Sequence, residues 1–174
     1  MKRVAAMKQA GFTLVEVAVT LVVLAIAVGY AIPGYQSLSA DSAIRSTTMS
    51  LIATINEART QALNYRVCAT VTGSGSGWTL AYPDITTTGC PTTAPTGMTP
   101  ATQSGRLGSS KDTIKVLDGS GNPVNSGITF MPNGFINVTA PVTLTVCDNR
   151  TNEIGRQITL QKNGKVDNAN YQCS

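Results

Sequence analysis

FTLVEVAVTLVVLAIAVGYAI, residues Phe12 to Ile32, decides how the rest of this chain is read. It is apolar throughout but for a few hydroxyls and one charged side chain, Glu16. A helix needs roughly 20 mainly apolar residues to cross a bilayer, so the stretch is long enough to span. A basic leader, MKRVAAMKQAG, stands before it. Secretory signals carry their apolar region ahead of a small-residue cleavage site. Here the Gly11-Phe12 junction precedes the apolar region, so cutting there keeps the hydrophobic segment and discards the charges. Glu16 then lies one helical turn beyond the new N-terminus, on the same face. A carboxylate in such a segment costs about 2.5 to 3.5 kcal/mol on insertion scales, so it needs a reason.

Working outward from that stretch, Lys2, Arg3 and Lys8 hold the N-terminus in the cytoplasm by the positive-inside rule, and everything after Pro33 faces the periplasm. Helical periodicity continues past it. Ile44, Thr48, Leu51, Ile55, Ala58 and Ala62 recur at three- and four-residue steps, with Arg45, Asn56, Arg59 and Arg66 largely elsewhere. The spacing predicts one helix from Phe12 to about Tyr65, about 80 Å long at 1.5 Å per residue, bent at Pro33 by the missing N–H and the ring clash.

From Val67 onward, β-branched residues alternate with polar ones and Gly, Asn, Asp and Pro mark turns. Strands are expected at 66–72, 78–82, 114–117, 128–131, 135–138, 142–147 and 156–161. Asn163-Gly164 sits where a type I′ turn would return the chain to Lys165 and Val166, and Pro132-Asn133-Gly134 is a second turn. The segment from Pro83 to Lys111, rich in Thr, Pro, Gly and Ser, reads as a long exposed loop tethered through Cys90. Trp78, the single tryptophan, reads as a sheet-to-helix packing residue.

The 174 residues carry a formal charge of +4, but setting aside the three leader cations leaves ten basic side chains against nine acidic. Net charge therefore gives no argument for a nucleic-acid partner. Four cysteines and no histidine fit disulfides in an oxidising compartment better than a metal site. Three pairings are possible. Economy favours Cys68 with Cys90, tying down the long loop, and Cys147 with Cys173, tying down the tail. Each is worth roughly 3 to 4 kcal/mol in the chain-entropy model. No Ser, Cys or carboxylate constellation suggests an enzyme or a cofactor, since Asp112, Asp118 and Asp148 are single charges beside turn residues.

The basic leader, G-F-T-L-x-E, the apolar helix and Pro33 together resemble the N-terminus of type IV pilins and type II secretion pseudopilins. The resemblance implies that a prepilin peptidase cuts between Gly11 and Phe12 and methylates Phe12. It implies too that Glu16 pairs with the terminal ammonium of a neighbouring subunit. The plainer alternative is a single-pass anchor with a chance glutamate. EARTQALNYRV at the helix end, Gly77-Trp78, ITFMPNGF, VTLTVCD and GRQITLQKNGKV narrow the resemblance to the FimT/FimU/GspH family. The implied fold is α+β, a long N-terminal helix on antiparallel sheets. Residues 1–11 would be the leader, 12–33 the transmembrane and fibre-core half-helix, and 34–174 a periplasmic head that includes the amphipathic half-helix.

The implied function is a minor pilin that primes type IV pilus assembly with other minor pilins and the major pilin. It would be held in the bacterial inner membrane until it enters the fibre. A minor pseudopilin of type II secretion is one alternative. A DNA-binding minor pilin for transformation is another, because some FimT-like proteins bind DNA through a C-terminal G-R-x-x-R motif. In this chain Gly155-Arg156-Gln157-Ile158-Thr159 has threonine at the second arginine. Arg150, Arg156, Lys162 and Lys165 form the candidate strip, diluted by Asp148, Glu153 and Asp167, and strand alternation puts Arg156 on the face of Ile158 and Leu160. Phosphate recognition wants several uncompensated cations, so an ordinary solvated hairpin is the plainer reading.

Overall fold

The computed structural model describes residues 12–74, 77–150 and 152–173. The described elements run α1 (Leu14–Tyr65), β1 (Ala69–Ser74), β2 (Gly77–Tyr82), β3 (Ala101–Arg106), β4 (Thr113–Leu117), β5 (Ile128–Phe130), β6 (Val142–Cys147), β7 (Ile154–Leu160) and β8 (Val166–Gln172). The strands form two four-stranded sheets, ordered β3-β2-β1-β5 and β4-β6-β7-β8, with every neighbouring pair antiparallel. The architecture is α+β, one long N-terminal helix with antiparallel sheets. The chain divides into two compact units, Met1–Ser39 and Ala40–Ser174.

In the second unit the helical stripe named from periodicity is the core. Ile44, Thr48, Leu51, Ile55, Ala58 and Ala62 are all buried. All but Thr48 join Trp78, Leu80, Ile128 and Phe130 of one sheet and Val142, Leu144, Val146, Ile158 and Leu160 of the other in a single apolar cluster. The stripe's hydroxyls are satisfied: Thr48 donates to the Ile44 carbonyl at 2.7 Å and Thr47 to Asp112 Oδ2 at 2.9 Å. Trp78 is buried against α1, and its Nε1–H donates to Thr54 Oγ1 at 2.9 Å. α1 ends where Arg66 turns left-handed at φ 53°, a stop that usually falls to glycine.

Several sequence expectations need correction. The segment 83–111 is not all loop, because β3 lies within it and pairs with β2 along its whole length, Gly77 with Arg106 through Tyr82 with Ala101. ATQSGR carries almost no apolar pattern because this edge strand is mostly exposed; backbone bonds hold it rather than burial. Gly105 is the side-chain requirement: a Cβ there would come 2.2 Å from Trp78 Cε2. Conversely, 135–138 is not a strand and makes only a Phe130–Ile136 bridge. Asn137 replaces the ladder, its N–H donating to the Thr129 carbonyl at 3.0 Å and its Oδ1 accepting from the Thr129 N–H at 3.1 Å. The polar run Val166–Gln172 is a full edge strand, β8, in register with β7.

The Asn-Gly turns also differ in type. Gly164 has φ 79° while Asn163 stays at negative φ, and the Gly164 N–H donates to the Gln161 carbonyl at 2.8 Å. This is a turn closed by a left-handed glycine, not type I′, which needs positive φ at both central residues. Met131 to Phe135 repeats it, with Gly134 at φ 77° and the same pair of backbone bonds.

The long loop is tied down as well as paired. Cys68 and Cys90 are bridged. Asp84, buried beside them, receives the hydroxyls of Thr70, Thr86 and Thr87 and the N–H groups of Thr86 and Thr87. Burial would raise its pKa, but the hydrogen bonds from Thr70, Thr87 and Thr86 together outweigh this and hold the carboxyl well below the usual carboxylate range.

Two outcomes follow. Gly105→Ala should cost about 1–3 kcal/mol through overpacking against Trp78, read as a lower denaturant midpoint with that tryptophan's fluorescence as probe. Asp84, with its folded pKa depressed, contributes stability that is complete above its unfolded pKa of about 4 and is lost as pH falls towards the folded value. Denaturation midpoints measured from pH 6 down to pH 2 should therefore fall more steeply in the native chain than in Asp84→Asn.

Candidate assembly helix and basic hairpin

Thr13 starts the helix. Its hydroxyl accepts from the Glu16 N–H at 3.3 Å, and its carbonyl accepts from the N–H groups of Glu16 and Val17 at 3.1 and 3.2 Å. Thr13-Leu14-Val15-Glu16 is the T-x-x-E spacing of a capped helix start, a legible signal that places the first helical residue at Leu14 rather than Phe12. Glu16 falls in the first turn, where the helix dipole favours a carboxylate. Its side chain is exposed and has no hydrogen-bond or ion-pair partner among the described residues. Residues 12–32 are exposed along their whole length, and α1 is long and apolar enough to cross a membrane. The Thr20 hydroxyl donates to the Val17 carbonyl at 2.8 Å, so it needs no partner outside the helix. Gly11, and with it the Gly11-Phe12 junction, lies outside the described residues. Pro33 is a residue of α1, which continues past it to Tyr65.

At the other end of the chain, Cys147 at the end of β6 bridges to Cys173 after β8. The bridge passes over β7 at Gly155. A Cβ on Gly155 would lie 2.4 Å from Cys173 Sγ and 2.4 Å from the Val146 carbonyl oxygen. The glycine of the G-R-x-x-T sequence therefore has a packing reason of its own, since any side chain would collide with the disulfide.

The structure does not bring the four candidate cations together. Arg156 pairs with Asn170 near the start of β7, whereas Lys162 and Lys165 lie in the turn beyond its far end. Six residues of strand put about 20 Å between Arg156 and Lys162. Arg150 is enclosed by acids: Nη2 lies 2.8 Å from Asp41 Oδ1, Nη1 lies 3.5 Å from Glu153 Oε1, and Nε donates to Asp148 Oδ2. Asp41 first, then Asp148 and Glu153, push the guanidinium pKa up against the opposing effect of burial. Lys165 Nζ is 3.0 Å from Asp167 Oδ1, and Lys162 Nζ donates to the Val138 carbonyl at 3.2 Å. Arg156 is half-buried on the inward face with Ile158 and Leu160.

The single carboxylates have structural employment too. Asp118 accepts the N–H groups of Ser120 and Asn122 at 2.9 and 2.8 Å and closes its turn. Asp112 is buried under Thr47, and burial pushes its pKa up against the hydrogen bonds from Thr47 and Ser109, with Asp148 adding repulsion.

Arg59, half-buried on α1, was legible only as a residue off the apolar stripe. It lies against the Gly164 turn, where an added Cβ would come 2.8 Å from Arg59 Nε and 2.9 Å from the Gly134 carbonyl oxygen, while Leu63 lies against Gly134. That Nε is buried with no hydrogen-bond partner among the described residues.

The family model described as "Type II transport protein GspH" matches residues 47–164, and that of the "Prokaryotic N-terminal methylation motif" matches residues 6–32. No characterised protein matches by sequence. Among solved structures, the type IV minor pilin FimU of Pseudomonas aeruginosa strain PAO1 is similar in two crystal forms. One has a TM-score of 0.49 and 20% identity, covering 71% of this chain and 86% of FimU. The other has a TM-score of 0.49 and 18% identity, covering 72% and 91%. The methylation motif and the apolar helix mark a membrane-anchored pilin. With most of the second unit, and more than half of the chain, covered by one family model and the exposed apolar start of α1 by the other, the chain belongs to the FimT/FimU/GspH family of pilin-like proteins.

Proposed function

We propose that the chain is a minor pilin that enters a type IV pilus and helps prime its assembly with other minor pilins. A prepilin peptidase cuts between Gly11 and Phe12 and methylates Phe12. The subunit waits in the bacterial inner membrane as a single pass, with residues 34–174 in the periplasm, and then joins a fibre of major and minor pilins through helix packing. Pro33 bends the helix where the apolar half gives way to the amphipathic half.

The observation that carries this reading is Glu16, a carboxylate without a partner among the described residues, in the first turn of α1, whose apolar stretch through residue 32 is exposed throughout. In a fibre core the terminal ammonium of the next subunit satisfies it and sets the axial register. A second reading, a minor pseudopilin of a type II secretion system, is favoured by the description of the matching family model. The loop after β2, tethered by Cys68–Cys90 and Asp84, exceeds what helix packing requires and supports the pilus. Loss of surface fibres in a deletion strain with normal protein secretion fits the pilus; the reverse pattern fits secretion. DNA binding ranks below both, because Arg150 and Lys165 already face carboxylates.

Glu16→Ala should leave membrane insertion intact, since it removes a costly charge, and should deplete the chain from sheared fibres. Membrane fractionation and immunoblotting of the fibres measure the two separately, and normal incorporation of the variant would refute the role.

A further inference from the structure

The start of the amphipathic half of α1 and the Arg156 end of the last hairpin enclose a cleft of about 180 Å³, lined by Asp41, Ile44, Arg45, Ile154, Arg156 and Asn170. Its charge is set by a competition. Asp41 and Arg45 stand four residues apart on the helix, a spacing at which opposite charges ordinarily pair. Asp41 Oδ1 is instead 2.8 Å from Arg150, which also holds Asp148 and Glu153. Among the described residues, no carboxylate comes within 4.0 Å of a charged nitrogen of Arg45 or Arg156. The cleft thus holds two guanidiniums outside any ion pair among the described residues, a carboxylate at Asp41 engaged by Arg150, an amide at Asn170, and apolar walls at Ile44 and Ile154. Ile154 is 58% exposed, although it begins a strand.

We propose that this cleft receives the carboxylate of an acidic side chain from another protein subunit, with an apolar neighbour on that subunit covering Ile154. The proposal rests on the assembly reading and assigns one of its contacts. Guanidinium suits the ligand, because its planar fork binds carboxylate with two parallel hydrogen bonds. The surroundings select a single carboxylate over a polyanion. Duplex DNA carries a charge about every 1.7 Å of axis, so a duplex over Arg156 would press further phosphates against Asp41 and Glu153, both partly exposed. One carboxylate meets the two arginines, while Asp41, the one acid of the lining, is already held by Arg150. An exposed isoleucine beside arginine also matches the anatomy of protein interfaces, where apolar and arginine contacts sit together at the centre.

The test uses the full-length chain in a cell that assembles the fibre, with a photo-crosslinking amino acid in place of Ile154. Light should join it to one subunit, at a peptide containing Asp or Glu adjacent to an apolar residue. Arg45→Gln with Arg156→Gln should lower the yield about tenfold at equal incorporation into fibres. Replacing the mapped acid by Arg should abolish the crosslink, and Arg156→Glu in the same cell should restore it, which separates pairing from misfolding. Several results overturn the proposal: a crosslink to nucleic acid, one indifferent to both arginines, or none from a chain that is present in the fibre. A native chain absent from every fibre overturns the assembly reading along with it, whereas the other results leave that reading standing.

Discussion

The apolar stripe from Ile44 to Ala62 is the surface that both sheets exist to cover. Each large side chain removed from water on it is worth about 1.5–3 kcal/mol, and no single sheet supplies all of its partners. Trp78, Leu80, Ile128 and Phe130 come from one sheet; Val142, Leu144, Val146, Ile158 and Leu160 come from the other. The stripe narrows to Ala58 and Ala62 near the helix end, where Leu63 meets the turn at Gly134 and Arg59 the turn at Gly164. Polar groups that fall on the stripe are all bonded, Thr48 to its own helix, Thr47 to Asp112 and Thr54 to Trp78. The same helix therefore carries two chemistries in sequence. Its first half has only apolar surface to offer, and its second half has a stripe already covered by its own chain.

Charge in the second unit is organised around Arg150. One guanidinium holds three carboxylates drawn from α1, the end of β6 and the turn before β7. Asp148 is almost wholly buried in that arrangement, so the arginine offsets a desolvation cost that the carboxylate could not bear alone. The same contacts divert Asp41 from its helical neighbour Arg45. A residue that reads as a cation available to phosphate is thus the residue most committed to the fold. Arg45, on the helix, and Arg156, on the inward face of β7, are among the arginines left outside any ion pair with the described residues.

Sequence periodicity carried the helix and its buried face because helical burial repeats every three or four residues, whatever covers it. The central strands were legible for the same reason; β6 alternates Val142, Leu144 and Val146 inward. The edge strands β3 and β8 were not, since they owe their existence to backbone bonds with β2 and β7 and bury too little to leave a pattern. Turn type escaped because Asn-Gly is compatible with both the type I′ turn and the bulged turn found, and the choice depends on the register of the flanking strands. The Arg150 cluster was beyond reach because Asp41 lies 109 residues away along the chain. The inward face of Arg156, by contrast, follows from strand alternation alone and needs no distant partner.

Glu16 has a local account that is insufficient on magnitude. Thr13 caps the helix and the first-turn position is favourable to a carboxylate, but such an interaction with the helix dipole is worth about 0.3–1 kcal/mol. A carboxylate in hydrocarbon costs about 2.5 to 3.5 kcal/mol at midplane and less towards the headgroups, so a subunit in the bilayer tolerates the residue near the end of its helix. A fibre core built from the same apolar helices offers neither headgroups nor water, and the dipole alone leaves most of the cost uncompensated. A cation of opposite chemistry at that level removes it, and a chain cut before Phe12 carries one, its terminal ammonium, one helical turn from Glu16. Within a single chain the two are fixed in sequence spacing. In the proposed assembly, chains staggered along the fibre would bring the two together directly, and the charge that is an encumbrance to an anchor would become the register mark.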